Sequence, residues 1–255
     1  MPVSHRHKCV FVHVPRTGGT SFRELFREDE DWYNEERLNR EDLLFVQNTD
    51  TSVPSNTEPR ILHKQHLCIQ HMYLLQLIEE ETLVDYYKFA FVRNPWDKTL
   101  SAYANHYKQY CLDFADYVNK VKVIVDFINE SFTYDIESDF YSAYSKLTFN
   151  TLYGKDLDFP FTPWGNNAVI ADPFFWPQHL YTHSGEGSCI VDKVGRFENY
   201  EQDANEILQT LGIEASIPKV NASKHRPYNE MYTDTTRDII SNIYAHDIEQ
   251  WGYEF

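Results

Sequence analysis

Short apolar runs and amphipathic stretches alternate along the chain, which predicts strands that alternate with helices. Residues 8–14 form a β-rich apolar run of strand length, and Tyr87–Val92 forms a second one. After the first run the apolar positions are Phe22, Leu25 and Phe26, a spacing that places them on one face of a helix. The opening unit is therefore predicted to be a strand, a glycine turn and a helix.

The rest of the chain continues this alternation. Strands that alternate with helices predict a single α/β domain over residues 1–255, with a mostly parallel central sheet flanked by helices. Ligands of such sheets bind beyond the carboxyl ends of the strands. Further strands are predicted at 61–67 and 189–197, and further helices across 72–78, from Pro95 past Tyr107, across 117–128, across 201–211 with Gly212 as the stop, and through Ile239 to Trp251.

Two stretches interrupt the pattern. Residues 47–60 are rich in Asn, Thr, Ser and Pro and are predicted to form a surface loop. Residues 153–187 combine prolines and glycines with many aromatic residues. Because this stretch is long and has no clear periodicity, it is predicted to be an irregular insertion that acts as a lid or binds the acceptor.

Composition and charge limit the partners. Lys and Arg number 23 against 39 Asp and Glu, so the formal net charge is −16. This charge argues against nucleic acid as a partner, and an anion site must be a local basic island. Four scattered cysteines without a zinc-binding spacing predict reduced thiols. The N-terminal apolar run is too short for a signal peptide or membrane anchor, so a cytoplasmic protein without membrane contact is expected.

The turn after the first strand reads VPRTGGTSF and is typical of an anion site. Backbone N–H groups at the start of a helix, cleared of side chains by Gly18 and Gly19, can cradle a phosphate-like group, and Arg16 adds a cationic donor. The Walker A pattern is absent, because no lysine precedes Thr20 or Ser21, and this disfavours an ordinary Mg-ATP site. Taken alone, the motif could equally be a plain turn with a helix cap.

A second motif, FVRNPWDKTLSAY, begins at the end of the second strand. Arg93 stands at the carboxyl end of that strand, and Ser101 lies about two turns inside the following helix. Both side chains can therefore reach one point above the sheet edge. Taken alone, Arg93 could instead pair with an acid. Together the two motifs predict two anion sites on neighbouring strand ends.

With these two motifs the sequence resembles the sulfotransferases of the carbohydrate type that use 3'-phosphoadenosine 5'-phosphosulfate (PAPS), a group that includes heparan sulfate 2-O-sulfotransferase. The similarity extends more weakly through Pro177-Gln178, 191–199 and 244–255, and so spans most of the chain. It implies a P-loop-like sulfotransferase fold, PAPS as the sulfuryl donor and 3'-phosphoadenosine 5'-phosphate (PAP) as the product. No metal is expected to be required, because cationic side chains and backbone amides supply the charge stabilisation.

The resemblance also implies roles for individual residues. The 3'-phosphate would be held by Arg93 and Ser101, together with Lys224 and Arg226 from a C-terminal loop, although these last two could equally pair with nearby acids in solvent. Many members carry lysine where this chain has Arg16. The arginine keeps the positive charge and adds a planar guanidinium group with several N–H donors. The 5'-phosphosulfate would be wrapped by the glycine loop, defined as Arg16, Thr17, Gly18, Gly19, Thr20, Ser21 and Phe22.

Sulfuryl transfer to a hydroxyl needs in-line attack, removal of the acceptor's proton and stabilisation of charge on the departing phosphate oxygen. Arg16 suits the last task. His66 is the predicted base, because histidine titrates near neutral pH and His66 matches, by the resemblance, the second histidine of the motif in the heparan-type enzymes. Lys64 falls where the first would be, and His63 is the alternative base. His13, inside the first strand, is predicted to be structural.

The acceptor is predicted only by class. The charge of −16 favours a neutral or cationic small molecule or saccharide, sulfated on a hydroxyl or on a nitrogen. Two other classes of protein remain open: a nucleotide kinase with an atypical loop, and a non-catalytic nucleotide- or glycan-binding module. Aromatic residues of the insertion could stack on sugar rings or could simply pack the loop; they are Trp164, Phe174, Phe175, Trp176 and Tyr181.

Overall fold

The computed structural model describes the chain in several ranges. These are residues 3–26, 66, 69, 78–108, 111–131, 173–183, 187–217 and 226–255. Several sequence predictions lie outside these residues, namely the surface loop at 47–60, the strand at 61–67 apart from His66, the helix at 72–78 apart from Ile78, the part of the insertion before residue 173 with Trp164, and the side chains of His63, Lys64 and Lys224.

The described strands form one four-stranded sheet in the order β1-β2-β3-β4. They are β1 (Val3–Ser4), β2 (Cys9–Val12), β3 (Tyr87–Val92) and β4 (Lys193–Arg196). Strands β2, β3 and β4 run parallel to one another, and β1 pairs antiparallel with β2. The predicted mostly parallel sheet is thus confirmed as a mixed sheet. The strand predicted at 189–197 shortens to β4, because Cys189 forms only an isolated bridge with His183.

Helices cover the sheet, and those that start at Gly19, Pro95 and Tyr200 begin within one residue of the predicted position. Pro95 is the first residue of its helix, and the side chain of Asn94 caps it by accepting hydrogen bonds from the N–H groups of Trp96 and Asp97 (3.0 and 3.5 Å). The described helices are α1 (Gly19–Leu25), α2 (Glu80–Asp85), α3 (Pro95–Ala102), which continues as a π-helical turn over Tyr103–Tyr107, α4 (Phe114–Ser131), α5 (His179–Thr182), α6 (Tyr200–Thr210), α7 (Asp234–Ile243) and α8 (Ala245–Trp251).

The C-terminal helix predicted through Ile239 to Trp251 is two helices, α7 and α8. They are separated at Tyr244, whose backbone (φ −112°, ψ 26°) is not helical. The Tyr244 side chain is buried, and its hydroxyl donates to the carbonyl oxygen of Phe175 (2.9 Å). With the chain redirected at this point, Asp247 of α8 is fully buried. The one-residue break leaves the apolar spacing nearly intact, which explains why the sequence pattern reads as one helix.

The two central strands are buried on both faces, as a parallel sheet between helices requires. Phe11 of β2 and Phe89 of β3 point to the face that α6 covers, and Val10 and Ala90 point to the opposite face. Because Val12 pairs with Ala90, β2 and β3 end close together at the same edge of the sheet. The segments that follow these two strands therefore begin side by side.

Candidate functional site

The loop after β2 turns sharply before α1 begins. Arg16 (φ 67°) and Gly18 (φ 87°) both lie in the left-handed region, and such a conformation is uncommon for a residue with a side chain. The buried hydroxyl of Thr17 donates to the carbonyl oxygen of Val14 (2.8 Å), and the N–H of Ser21 donates to that of Gly18 (3.1 Å). These bonds fix the backbone, and a strained non-glycine residue in a fixed turn is typical of functional sites.

The two glycines of the loop are each required by a different neighbour. A side chain at Gly19 would overlap the imidazole ring of His13. At Gly18 it would come within 2.8 Å of the ring of Tyr200, whose hydroxyl donates to the Gly18 carbonyl oxygen (2.9 Å). His13, predicted to be structural, therefore lies against the glycine loop itself. Its ring stacks on Phe11, which positions it over Gly19.

Arg16 joins the two sequence motifs. Its guanidinium donates to the hydroxyl oxygen of Ser101 through Nε (3.1 Å) and Nη2 (2.8 Å), and Ser101 is fully buried. In return, Nη1 of Arg93 donates to the backbone carbonyl oxygen of Arg16 (3.0 Å). Arg16 thus contacts Ser101 through its guanidinium and Arg93 through its backbone, at the ends of adjacent strands.

Arg93 is also held by its own motif. Its Nε and Nη2 contact Asp97 Oδ2 (2.9 and 2.7 Å), and its guanidinium lies 4.1 Å from the centre of the Phe197 ring. The alternative interpretation, a pairing of Arg93 with an acid, is therefore present in the structure. A guanidinium carries five N–H groups, so these contacts and the bond to Arg16 do not use all its donors. Pairing and anion binding are compatible here.

The electrostatics of the pair favour an anion. Burial, and then the nearby charge of Arg93, lower the pKa of Arg16. Among the described residues, no carboxylate lies within ion-pair distance of Arg16, whose partners are Ser101 and His106. Two neighbouring cations in a partly buried site repel each other, and a bound anion offsets that repulsion. A basic pair of this kind in a chain of net charge −16 is the local island that the sequence predicts.

His66 lies next to the glycine loop, against the ring and the backbone of His13. It is buried, its ring lies 4.4 Å from that of His13, and its Nδ1 is 3.1 Å from the His13 carbonyl oxygen. A carbonyl oxygen only accepts hydrogen bonds, so neutral His66 carries its proton on Nδ1. Its Nε2 is then the basic nitrogen.

A further histidine, His106, reaches the same site and was not selected from the sequence. Its Nε2 is 3.4 Å from Nη1 of Arg16, and burial together with the Arg16 charge lowers its pKa. In a regular α-helix, positions 101 and 106 would point about 140° apart. The π-helical turn over Tyr103–Tyr107 changes this relation, because π-helical bonds join residues five apart. The sequence carries no clear signal for such a turn.

The predicted acceptor aromatics separate into two groups. The ring of Phe174 contacts those of His106 (4.6 Å) and His66 (5.8 Å), so it borders the site. Phe175 and Tyr181 are 1% exposed and belong to the core, so for these two the packing alternative holds. Trp176 is half-buried against the core.

The remaining residues predicted to bind PAPS differ in how deeply they are buried. The side chain of Phe22 is fully buried against Phe11 and Phe89, so only its backbone can take part in the loop. Ser21 is buried and Thr20 half-buried. Arg226 is exposed, and Tyr228 close behind it contacts the amide nitrogen of Asn94 through its hydroxyl (3.4 Å).

A second polar cluster is connected to the Arg93 backbone through Gln178. The potential ligand atoms of His179, His246 and Asp247 lie within 4.8 Å of one another. His179 Nδ1 donates to Asp247 Oδ1 (2.6 Å), and the His179 and His246 ring centres are 4.0 Å apart. Asp247 also accepts hydrogen bonds from the backbone N–H groups of Gln178 (2.7 Å) and His179 (3.0 Å). The cluster is thus organised around a hydrogen-bonded histidine–aspartate pair.

Comparison with known proteins gives one match. The family model described as Sulfotransferase family matches residues 1–254. No curated protein and no solved structure gives a significant match. In the described parts of the chain, no helix is long and apolar enough to cross a membrane. The family match, the parallel strands and the glycine loop together establish the P-loop-like α/β fold predicted from the sequence.

The contact between His13 and Gly19 yields a testable expectation. Gly19→Ala forces a side chain into the His13 ring, so the loop must move, and we expect PAP affinity to fall by at least about tenfold. The measurement is titration calorimetry with PAP. The control is Gly212→Ala, at a glycine outside the loop that has positive φ (66°) and no atom within 4 Å of the added carbon. Equal PAP affinity in wild type and Gly19→Ala would contradict the role of the loop.

Proposed function

Because the chain belongs to the sulfotransferase family and is a PAPS-dependent sulfotransferase, we propose that it sulfates a neutral or cationic saccharide or small hydroxylated metabolite, with His66 as the general base. The observation that carries the proposal is the contact of Arg16 with both neighbours at adjacent strand ends: its guanidinium donates to the Ser101 hydroxyl, and its carbonyl oxygen accepts from Arg93. It supplies cationic hydrogen-bond donors and a hydroxyl for PAPS, which carries phosphate groups at both the 3' and the 5' position of its ribose.

In this proposal each motif binds one end of the donor. The glycine loop takes the 5'-phosphosulfate through its backbone N–H groups. Arg93 and Ser101 take the 3'-phosphate, the group that distinguishes PAPS from ATP, with Arg226 and Lys224 of the C-terminal loop on the same side. Arg16 lies between the two motifs, and its guanidinium stabilises the charge that develops on the departing phosphate oxygen.

The reaction itself is an in-line displacement at sulfur. The acceptor oxygen forms the new S–O bond while the bond from sulfur to the bridging phosphate oxygen breaks. The acceptor's proton passes to His66 Nε2, and PAP leaves with the negative charge that Arg16 offsets. The support for His66 is its Nδ1–H bond to the His13 carbonyl oxygen, which leaves the basic nitrogen on the other side of the ring.

Other assignments stay open beside this one. His63 remains the alternative base suggested by the sequence, and His106 is a further candidate, because its Nε2 contacts Arg16. A carbohydrate acceptor of the kind used by the heparan-type enzymes, independence from metal and a cytoplasmic location remain predictions from the sequence. An atypical kinase or a non-catalytic binding module would each give a different result in the tests below.

The first test is a ligand panel. We expect PAP to raise the melting temperature more than ADP, and Mg-ATP to have little effect, because selective binding to the native state stabilises it. In Arg93→Ala, PAP should lose at least about tenfold in affinity while ADP changes little, since a charge-assisted contact is lost. Arg237→Ala, which removes a surface guanidinium paired with Asp234 and Asp238, is the control. Stabilisation by Mg-ATP alone would indicate a kinase.

The second test concerns the base. We expect His66→Ala to lower kcat by about 10²- to 10⁴-fold while PAP affinity stays within about twofold, because a base acts on the acceptor and not on donor binding. Turnover is measured as PAP released from PAPS. His5→Ala, at an exposed histidine near β1, is the control. Normal turnover in His66→Ala would move the assignment to His63 or His106.

The third test concerns the charge of the acceptor. At low ionic strength we expect kcat/KM for neutral or amine-bearing acceptors to exceed that for polysulfated saccharides by at least about tenfold, since the protein's negative field repels polyanions. Adding salt should narrow the difference. Rapid turnover of a heparan-like polyanion at low salt would contradict the proposed preference for neutral or cationic acceptors.

A further inference from the structure

Arg93 is the residue at which β3 leaves the sheet, and its backbone is bonded by a side chain. The last residue pair between β3 and β4 is Val92 with Arg196, so the pairing stops one residue before Arg93. The Arg93 N–H donates to Oε1 of Gln178 (2.8 Å), and Nε2 of Gln178 donates to the Arg93 carbonyl oxygen (2.8 Å). Gln178 is 1% exposed. Its amide therefore acts like one more residue of a neighbouring strand.

Gln178 is itself held by a buried carboxylate. Asp247 Oδ2 accepts the Gln178 N–H (2.7 Å), and Oδ1 accepts the N–H (3.0 Å) and Nδ1 (2.6 Å) of His179. Burial alone would raise the pKa of Asp247, but the hydrogen bonds from His179 and the two backbone N–H groups lower it. An ionised acceptor forms stronger hydrogen bonds than a neutral one. Asp247 therefore fixes the position from which Gln178 reaches Arg93.

The direction of the backbone at Arg93 decides where its guanidinium lies. That group stacks on Phe197 and donates to the carbonyl oxygen of Arg16. A single hydrogen bond therefore links the Arg93 guanidinium directly to the glycine loop. Small misplacements of binding groups have large effects on ligand binding and rate. A residue that fixes the Arg93 backbone thus acts on the donor without touching it.

We propose that Gln178, held in place by Asp247, is a positioning residue for the donor's 3'-phosphate. The amide of Gln178 bonds both backbone groups of Arg93, and Asp247 bonds the backbone of Gln178. The side chain of Arg93 is thereby aimed at the phosphate before the donor arrives. This inference rests on the proposed assignment of the 3'-phosphate to Arg93.

The main test is Gln178→Met, which keeps the length and burial of the side chain and removes both hydrogen bonds. We expect PAP affinity to fall by about tenfold, as the loss of buried hydrogen bonds predicts, while ADP affinity changes by less than about twofold. The measurement is titration calorimetry with PAP and with ADP on the full chain. ADP lacks the 3'-phosphate but carries an extra β-phosphate, so the readout is the change in this ratio from wild type at unchanged ADP affinity, which reports on the 3'-phosphate.

Asp247→Asn tests the second link. We expect the ratio of PAP to ADP affinity to fall here as well. If Asp247 acts through Gln178, the effects of the two substitutions should not add, because both residues belong to one network. The ratio of PAP to ADP affinity should then fall no further in the Gln178→Met, Asp247→Asn double variant than in Gln178→Met alone. Additive losses would show that Asp247 acts by another route and would overturn that link. The single Asp247→Asn variant also keeps the proposal testable if Gln178→Met does not fold.

The control separates positioning from a general loss of stability. Thr233→Ala removes the cap of α7, where the Thr233 hydroxyl accepts from the N–H of Thr236 (3.2 Å), a bond that lies within α7. It should lower the melting temperature and leave the ratio unchanged. An unchanged ratio in folded Gln178→Met would overturn the inference. If Arg93→Ala also left the ratio unchanged, the fault would lie in the assignment of the 3'-phosphate.

Discussion

Two partly buried guanidinium groups side by side are the constraint on which the site depends. Like charges this close are tolerated only where fixed neighbours hold them, and here Ser101, Asp97 and the Phe197 ring do so. The arrangement also requires β2 and β3 to be adjacent and parallel, because Arg16 follows one strand and Arg93 the other. The sheet topology is therefore what turns two separate motifs into one site.

Side chains replace backbone partners where the sheet ends. The N–H of Arg93 donates to Gln178, and that of Asn94 donates to Oε1 of Glu198 (2.6 Å). The Asn94 amide in turn donates to the backbone carbonyl oxygen of Glu254 (2.9 Å), which ties the C-terminal residues to the same motif. Buried backbone groups need such partners. Segments distant in sequence thus close around the strand end, and this gives the arginine pair a rigid support.

The features that follow from local pattern could be predicted from the sequence. Apolar runs located β2 and β3, and Pro95 marked the start of α3. These features depend on residues close in the chain. The family match then supported the fold and the reaction class.

The features that depend on tertiary contacts could not be predicted. The π-helical turn brings His106 to Arg16, and the break at Tyr244 accompanies the burial of Asp247; neither has a local sequence signal. Strand β1 is only two residues long, below what an apolar pattern can indicate. The contact of His13 with Gly19 depends on how the residue just after β2 meets a loop six positions later, which periodicity does not describe.

The arginine pair also gives the account its most direct test. A crystal structure of the protein with PAP should place the 3'-phosphate oxygen atoms within hydrogen-bond distance, about 2.7–3.2 Å, of the Arg93 guanidinium and the Ser101 hydroxyl. The 5'-phosphate should lie against the glycine loop, with Arg16 between the two. A 3'-phosphate in solvent, or bound at residues remote from Arg93, would contradict the central claim that the two strand ends form one donor site.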